Sequence, residues 1–233
     1  MVMMTLIWLR HYIVCQSTVQ RYTTLIIDIL FEKYNSEILF PSVQDRWKKS
    51  AQFKGAKITV VVDGSEQQVG IPGNKQKEKS LFSGKKQLHT FTLLLVCGVD
   101  GRVYFLSMSY QGSKNDMNLI GCEENSFWKG LDDWEYICAD KGFRGLQHKW
   151  PNIVLPYIGD QLTEEEKEFN KGVARIRIVV ENVFSHLKKW RICKYTFRGN
   201  INDIDGSLIR HNKIWVVVAG LYNDFVAPIR NCY

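Results

Sequence analysis

The sequence predicts a mixed α/β domain, its sheet antiparallel at first and parallel later, flanked by helices and preceded by a short helical N-terminal segment. Three observations predict it. KITVVVDG, from Lys57, is the first of several short apolar runs bounded by turn residues. Asp100-Gly101 is a hairpin signal between the second and third runs, which makes those strands antiparallel. A helical segment then precedes the fourth run, and long helices follow the fifth.

Residues 1–50 read as helical. TLIWLRHY is one short piece, and Ser17 is placed as N-cap of TVQRYTTLIIDILFEKY, whose apolar residues recur every three to four positions. Leu39-Phe40-Pro41-Ser42 ends that helix, and SVQDRWKKSAQF reads as a polar, basic connector. The β-branched run VVV ends at Asp63. The Gly-, Lys- and Ser-rich stretch 70–86 reads as a loop or frayed hairpin. QLHTFTLLLVCGV and RVYFLSMSY are the second and third strands. GSKNDMNLIGCEENSFWKGL reads as a helix capped by Ser113; WEYICAD and NIVLPYI are the fourth and fifth strands. TEEEKEFNKGVARIRIVVENVFSHLKKWRI is a long helix opened by a capping box, Thr163 with Glu166. HNKIWVVVAGLYNDFV reads as a buried terminal helix, too short to cross a membrane. This element order is that of ribonuclease H-like sheets.

The 233 residues, 45% hydrophobic, suffice for one sizeable core, or for one core plus a small appendage. Twelve Phe, ten Tyr and seven Trp argue against disorder. A net charge of +7 suits a polyanionic partner, although many proteins this basic bind no nucleic acid. The six cysteines form no CxxC pair and no zinc-finger spacing, so they read as buried thiols in a reducing compartment. The opening MVMMTLIWLRHYIV has no basic leader or small-residue cleavage site and is too short for a bilayer, so no membrane association is expected. There is no phosphate-binding glycine loop, nucleophile elbow or HExxH, which leaves other α/β enzyme classes with little support.

Two acidic residues, Asp63 and Asp140, stand where apolar runs end, the places where ligand sites collect in α/β sheets. A carboxylate there needs compensation, and a divalent cation supplies it. Glu181 is a third, set among Ile176, Ile178, Val179, Val180, Val183 and Phe184. Arg177 lies four residues before it and Lys188 seven after, all within roughly 40° on one helix face. Each residue also has a plainer reading. Asp63-Gly64 opens a turn, Asp140 caps the next segment, or Glu181 pairs with Arg177 on a solvated face. Asp116 is a rival ligand, with a plainer role as capping-box partner of Ser113 that the spacing favours.

VVDGSE, FSGKKQLHTF, GSKNDMN, ICADKGFRG, ARIRIVVENVFSHLKKWRI and HNKIWVVVAGLYN resemble, in that order, the DDE endonuclease domain of PIF/Harbinger transposases, from about Val60 to Tyr222. The resemblance implies that residues 56–233 form a ribonuclease H-like catalytic domain with Asp63, Asp140 and Glu181 as the DDE set. It implies two-metal phosphoryl transfer on DNA with Mg²⁺ or Mn²⁺ held by those carboxylates, Asp63 bridging. It also implies nuclear action, a homo-oligomer and a separate Myb-like DNA-binding partner. Arg177, Glu181 and Lys188 are spaced as in the Tyr, Arg, Glu, Lys signature of bacterial relatives, with Ala174 at the tyrosine position. Arg177 and Lys188 would then face the strand's phosphates.

HLKKWRICKYTFR interleaves Lys188, Lys189, Arg191, Lys194 and Arg198 with Trp190, Tyr195 and Phe197, as suits strand backbone and unstacked bases; an ordinary helix end gives the same pattern. The KQKEKSLFSGKK stretch is a second basic patch. Residues 1–50 resemble a helix-turn-helix remnant in which the middle helix is missing, so sequence-specific binding by them is not expected. Two functions follow: an active metal-dependent nuclease, or a domesticated, catalytically silent DNA-binding protein.

Overall fold

The structure, a computed structural model, describes residues 15–122 and 127–226. The expected TLIWLRHY helix lies outside the described residues.

The longest strand, β2 (Ala56–Gln68), is the spine of an eight-stranded mixed sheet. Helix α1 (Gln16–Glu37), helix α2 (Val43–Lys49) and strand β1 (Ala51–Phe53) precede it; helix α3 (Lys75–Leu81) and strand β3 (Phe82–Ser83) follow. On one side of β2 runs antiparallel β4 (Leu88–Gly98), in register from Val60 opposite Gly98 to Gln68 opposite Thr90. β5 (Val103–Leu106) and β6 (Tyr110–Gln111) extend that half, again antiparallel. After helix α4 (Asp116–Gly121) comes β7 (Glu135–Ala139), parallel to β2 on its other side, then β8 (Ile153–Val154), parallel to β7. The antiparallel start and parallel continuation expected from the sequence are present. The Asp100-Gly101 turn closes as the hairpin signal requires, Gly101 taking the φ of +81° that a side chain disfavours.

The strands read as continuous apolar runs because both sheet faces are covered. Ile58 and Val61 point into one core, while Val60 and Val62 point into the other; an irregularity between Ile58 and Val60 shifts the alternation. Helix α5 (Glu164–Leu187) covers the first face with Val173, Ile176, Val180, Val183 and Leu187, three- and four-residue spacings that make one stripe. Its start is the expected capping box, Thr163 with Glu166. Helix α7 (Ile204–Phe225) follows the short α6 (Arg191–Lys194) and is buried almost all round, with Trp215 fully enclosed. A polar knot pins α7 to β2: Gln67 Oε1 accepts from Trp215 Nε1, and His211 Nε2 lies 3.0 Å from the same oxygen. Burial pushes His211 down to about 3, so it stays neutral here. The second face is closed by Ile120, Phe127, Phe143 and Leu146 from the connections around β7.

Several elements depart from the sequence reading. β2 does not end at Asp63 but continues to Gln68, because β4 offers ladder partners that far. The 70–86 stretch holds α3, capped by Asn74. The third strand breaks into β5 and β6 around Ser107–Ser109. α4 is a short helix capped by Asn115, not Ser113. Cys15, not Ser17, stands at the start of α1. The basic connector contains α2, capped by Ser42, and its Arg46 is 3% exposed. Arg46 donates to Glu135 of β7, itself fully buried, and to the Pro41 and Gly130 carbonyls. Helix α1 lies along α7: the Tyr34 ring packs on Gly220, where a Cβ would collide with it, and Lys213 reaches Asp28 at 2.6 Å.

Candidate active site

Sheet register brings the first two carboxylates together. Val62 and Ala139 are opposite each other on the parallel strands β2 and β7, and Asp63 and Asp140 are the next residues on each. Neighbouring strands lie about 4.8 Å apart, so these side chains leave the sheet as close neighbours. β7 ends at Ala139 while β2 runs on, which opens a gap beside Asp63. This is the carboxyl end of a parallel strand, where α/β sheets place their sites. Asp63 is in mid-strand, so the turn reading of Asp63-Gly64 does not hold. Asp140 opens a 3₁₀ turn but its side chain makes no capping bond.

Helix α5 supplies the rest. Its buried stripe lies on the sheet, and Arg177 and Glu181, one turn apart, stand at the margin of that stripe. The Arg177 guanidinium sits among all three carboxylates: 3.3 Å from Asp140 Oδ1, 3.8 Å from Glu181 Oε1 and 4.0 Å from Asp63 Oδ2. Asp63, Asp140 and Glu181 therefore converge around one cationic group. Glu181 is the outermost, its side chain 57% exposed. The expected pairing of Arg177 with Glu181 is present, as part of this larger cluster.

Asp63 is the most deeply buried of them. Burial pushes its carboxyl up to about 6, and the Asp116 charge adds to the rise. The Gly64 N–H, 2.8 Å from Oδ1, and the Arg177 charge pull the other way.

Asp116 is where the sequence reading needs correction. The capping box that its spacing from Ser113 predicts does not form: Asn115 caps α4, and the Asp116 carboxylate turns inward. It lies against Gly64 and Gly142, the glycines next to Asp63 and two residues beyond Asp140. A Cβ on Gly64 would collide with its Oδ1, and one on Gly142 would stand 2.9 Å from its Oδ2. Burial raises its carboxyl, Lys85 at 3.7 Å opposes that, and Glu66 and Asp140 add to it. The absence of side chains at two glycines, far apart in sequence, admits a fourth carboxylate beside the other three. In the sequence, only the place of Asp116 in the GSKNDMN motif points to it.

Cations ring the cluster. Lys85 comes from the second basic patch, before β4. Lys188, at the end of α5, is half-buried; burial lowers its ammonium and Lys86 lowers it further, while Asp63 and Glu66 raise it. Beyond it, Lys189, Trp190, Arg191, Lys194 and Arg198 are exposed, as is Tyr195. Phe197, grouped with them from sequence, is instead in the core against Phe91. This segment is fastened to the strand that carries Asp63. Gln67 Nε2 donates to the Ile192 and Tyr195 carbonyls, both at 2.7 Å, and the Phe197 N–H donates to the Gln68 carbonyl.

The hard oxygen donors suit Mg²⁺ or Mn²⁺. As they stand, no three acidic, histidine or cysteine side chains among the described residues are grouped closely enough to hold a metal ion. Arg177 lies between them.

Residues 62–223 match the DDE superfamily endonuclease family, a span from the strand bearing Asp63 to the end of α7. This chain belongs to the DDE superfamily endonucleases. The match takes in Asp63, Asp116, Asp140, Arg177 and Glu181. This DDE endonuclease chain is also 30% identical over 171 residues to a probable transposase for insertion sequence element IS702 of Microchaete diplosiphon. That alignment covers 70% of this chain but 56% of the relative, so the chain spans little more than half of that protein's length. No solved structure matches it. No helix among the described residues is long and apolar enough to cross a membrane.

Proposed function

We propose that this DDE endonuclease domain cuts or joins DNA strands by metal-assisted phosphoryl transfer, with Asp63, Asp140 and Glu181 as the metal-holding set. The convergence of those three side chains on one cationic group carries the reading, because it marks the place where compensating positive charge belongs. When bound, Mg²⁺ or Mn²⁺ would activate a water or 3′-hydroxyl and stabilise the leaving oxygen. The chain's own residues do the rest. Asp63 and Asp140 present oxygens from adjacent strands, and Glu181 closes the set from α5. Asp116, behind Asp63, adds negative charge that favours cation uptake. Lys188 and Arg177 lie where the scissile strand's phosphates would pass. Lys189, Arg191, Lys194 and Arg198 continue a basic track, and exposed Trp190 and Tyr195 offer faces on which unstacked bases can rest.

The reading extends to a ribonuclease H-like fold of PIF/Harbinger type, supported by the element order and by the six motifs in sequence. With it come nuclear DNA as substrate, action as a multimer, and a Myb-like partner for targeting. A second reading, a catalytically silent DNA-binding protein, is favoured by one observation: Arg177 stands inside the acidic cluster. Incubation with supercoiled plasmid separates the two. The nuclease nicks it in Mg²⁺ or Mn²⁺ and not in EDTA, and Asp140→Asn does not nick; a silent protein retards the plasmid without nicking under any condition.

A further inference from the structure

Among the described residues, Arg46 and Arg177 both meet carboxylates in the interior, and they are held very differently. Arg46 is locked by four hydrogen bonds: its Nε donates to Glu135 at 2.8 Å and its other nitrogens to Glu135 and to the Pro41 and Gly130 carbonyls. That is a structural guanidinium. Arg177 touches three carboxylates, yet its contacts run from 3.3 to 4.0 Å, longer than hydrogen bonds, and its Nε is buried without a hydrogen-bond partner. It supplies charge to the cluster without being locked by it.

We infer that Arg177 is an exchangeable counter-ion, holding the cation position among Asp63, Asp140 and Glu181 and leaving it for the phosphates of a bound strand when a divalent cation is taken up. The inference rests on the metal reading of this site. The physical argument is competition. The cluster demands positive charge, because Asp63, Asp140 and Glu181 face one point and the Asp116 carboxylate lies against Gly64 beside Asp63. A guanidinium and a divalent cation cannot share the space between the same oxygens. Departure of Arg177 forfeits no side-chain hydrogen bond, since its contacts with the carboxylates are ionic. Its guanidinium would then gain a phosphate, so cation and DNA should each strengthen the binding of the other.

The test is Mn²⁺ binding to the full chain, read as loss of the free-ion electron paramagnetic resonance signal, with and without a short DNA duplex. Without DNA, Arg177→Gln should bind Mn²⁺ about tenfold more tightly than the wild type, while Arg177→Lys, which keeps the charge, stays near it. DNA should tighten Mn²⁺ binding to the wild type by a larger factor than it tightens binding to Arg177→Gln. Equal or weaker Mn²⁺ binding by a folded Arg177→Gln overturns the inference, and leaves the metal reading standing if Asp63→Asn abolishes wild-type binding. Absence of Mn²⁺ binding in both proteins overturns the inference and the metal reading together.

Discussion

The Asp116 carboxylate fills the space that a side chain at Gly64 would need. Asp63 is the residue before that glycine, so the same absent Cβ that admits Asp116 sets how closely two carboxylates approach. Gly64→Ala is expected to push Asp116 away and to destabilise the chain by about 1–3 kcal/mol, the usual penalty of overpacking. Removing the obstructing carboxylate should relieve it: Gly64→Ala with Asp116→Ala should melt above Gly64→Ala alone. A double variant no more stable than the single would show that Asp116 is not what the new methyl meets. Gly142→Ala, whose Cβ would stand 2.9 Å from the other oxygen, should be milder.

Asp63 makes stability depend on pH in a direction opposite to that of an ordinary paired carboxylate. Its folded value is about 6 against 3.8 for a free side chain, chiefly because of burial. The folded chain thus binds more protons between those values, so stability falls as pH rises through that window and stays low above it. In metal-free buffer, Asp63→Asn should melt above the wild type at pH 8, by up to about 3 kcal/mol, with the gap closing below pH 4. Nicking at limiting Mg²⁺, where uptake of the cation must displace that proton, should decline as pH falls through about 6. Thermal melts across pH check the first expectation, and plasmid nicking across pH checks the second.

Arg46 and Glu135 tie α2 to the start of β7 through a buried ion pair. Loss of one partner strands the other's charge, so Arg46→Met should destabilise the chain by about 3–5 kcal/mol. Adding Glu135→Leu should recover much of that, because an apolar pair leaves no buried charge uncompensated. Urea denaturation of the two single variants and the double completes the cycle.

The basic track beyond α5 makes a prediction about salt. Lys189, Lys194 and Arg198 are exposed and point away from the core. If each meets a phosphate, its replacement by Ala should lower the slope of log affinity against log salt by about 0.9 on duplex DNA. Trp190→Ala should weaken single-stranded DNA by about 1–3 kcal/mol with little change in slope. Fluorescence anisotropy at several salt concentrations distinguishes the two effects.

The sheet's plan was legible because strands buried on both faces are written as unbroken apolar runs, and α5 because its capping box and apolar stripe agree. Asp63 and Asp140 were legible because each follows such a run. The continuation of β2 through Gly64 to Gln68 was not, since GSEQQ has turn chemistry and only the facing β4 makes it a strand. Arg46 read as a solvated connector residue because nothing local reveals that Glu135, far along the chain, will be its partner. The spacing of Asp116 from Ser113 suggests a local capping role, but Asn115 takes it; the neighbours of Asp116 are two glycines brought together by the fold. Phe197 looked like one of a row of exposed aromatics until the Gln67 clamp and the core against Phe91 drew it inward.

The most direct test of the central claim is metal-directed cleavage of the protein backbone. With Fe²⁺ in place of Mg²⁺, ascorbate and peroxide release hydroxyl radicals at the bound ion, and the chain is cut next to whatever holds it. The account predicts three sets of cuts, around Asp63, Asp140 and Glu181, all suppressed by excess Mg²⁺ and by Asp140→Asn. Cuts confined to other segments, or cutting unaffected by Mg²⁺ and by that substitution, would contradict it.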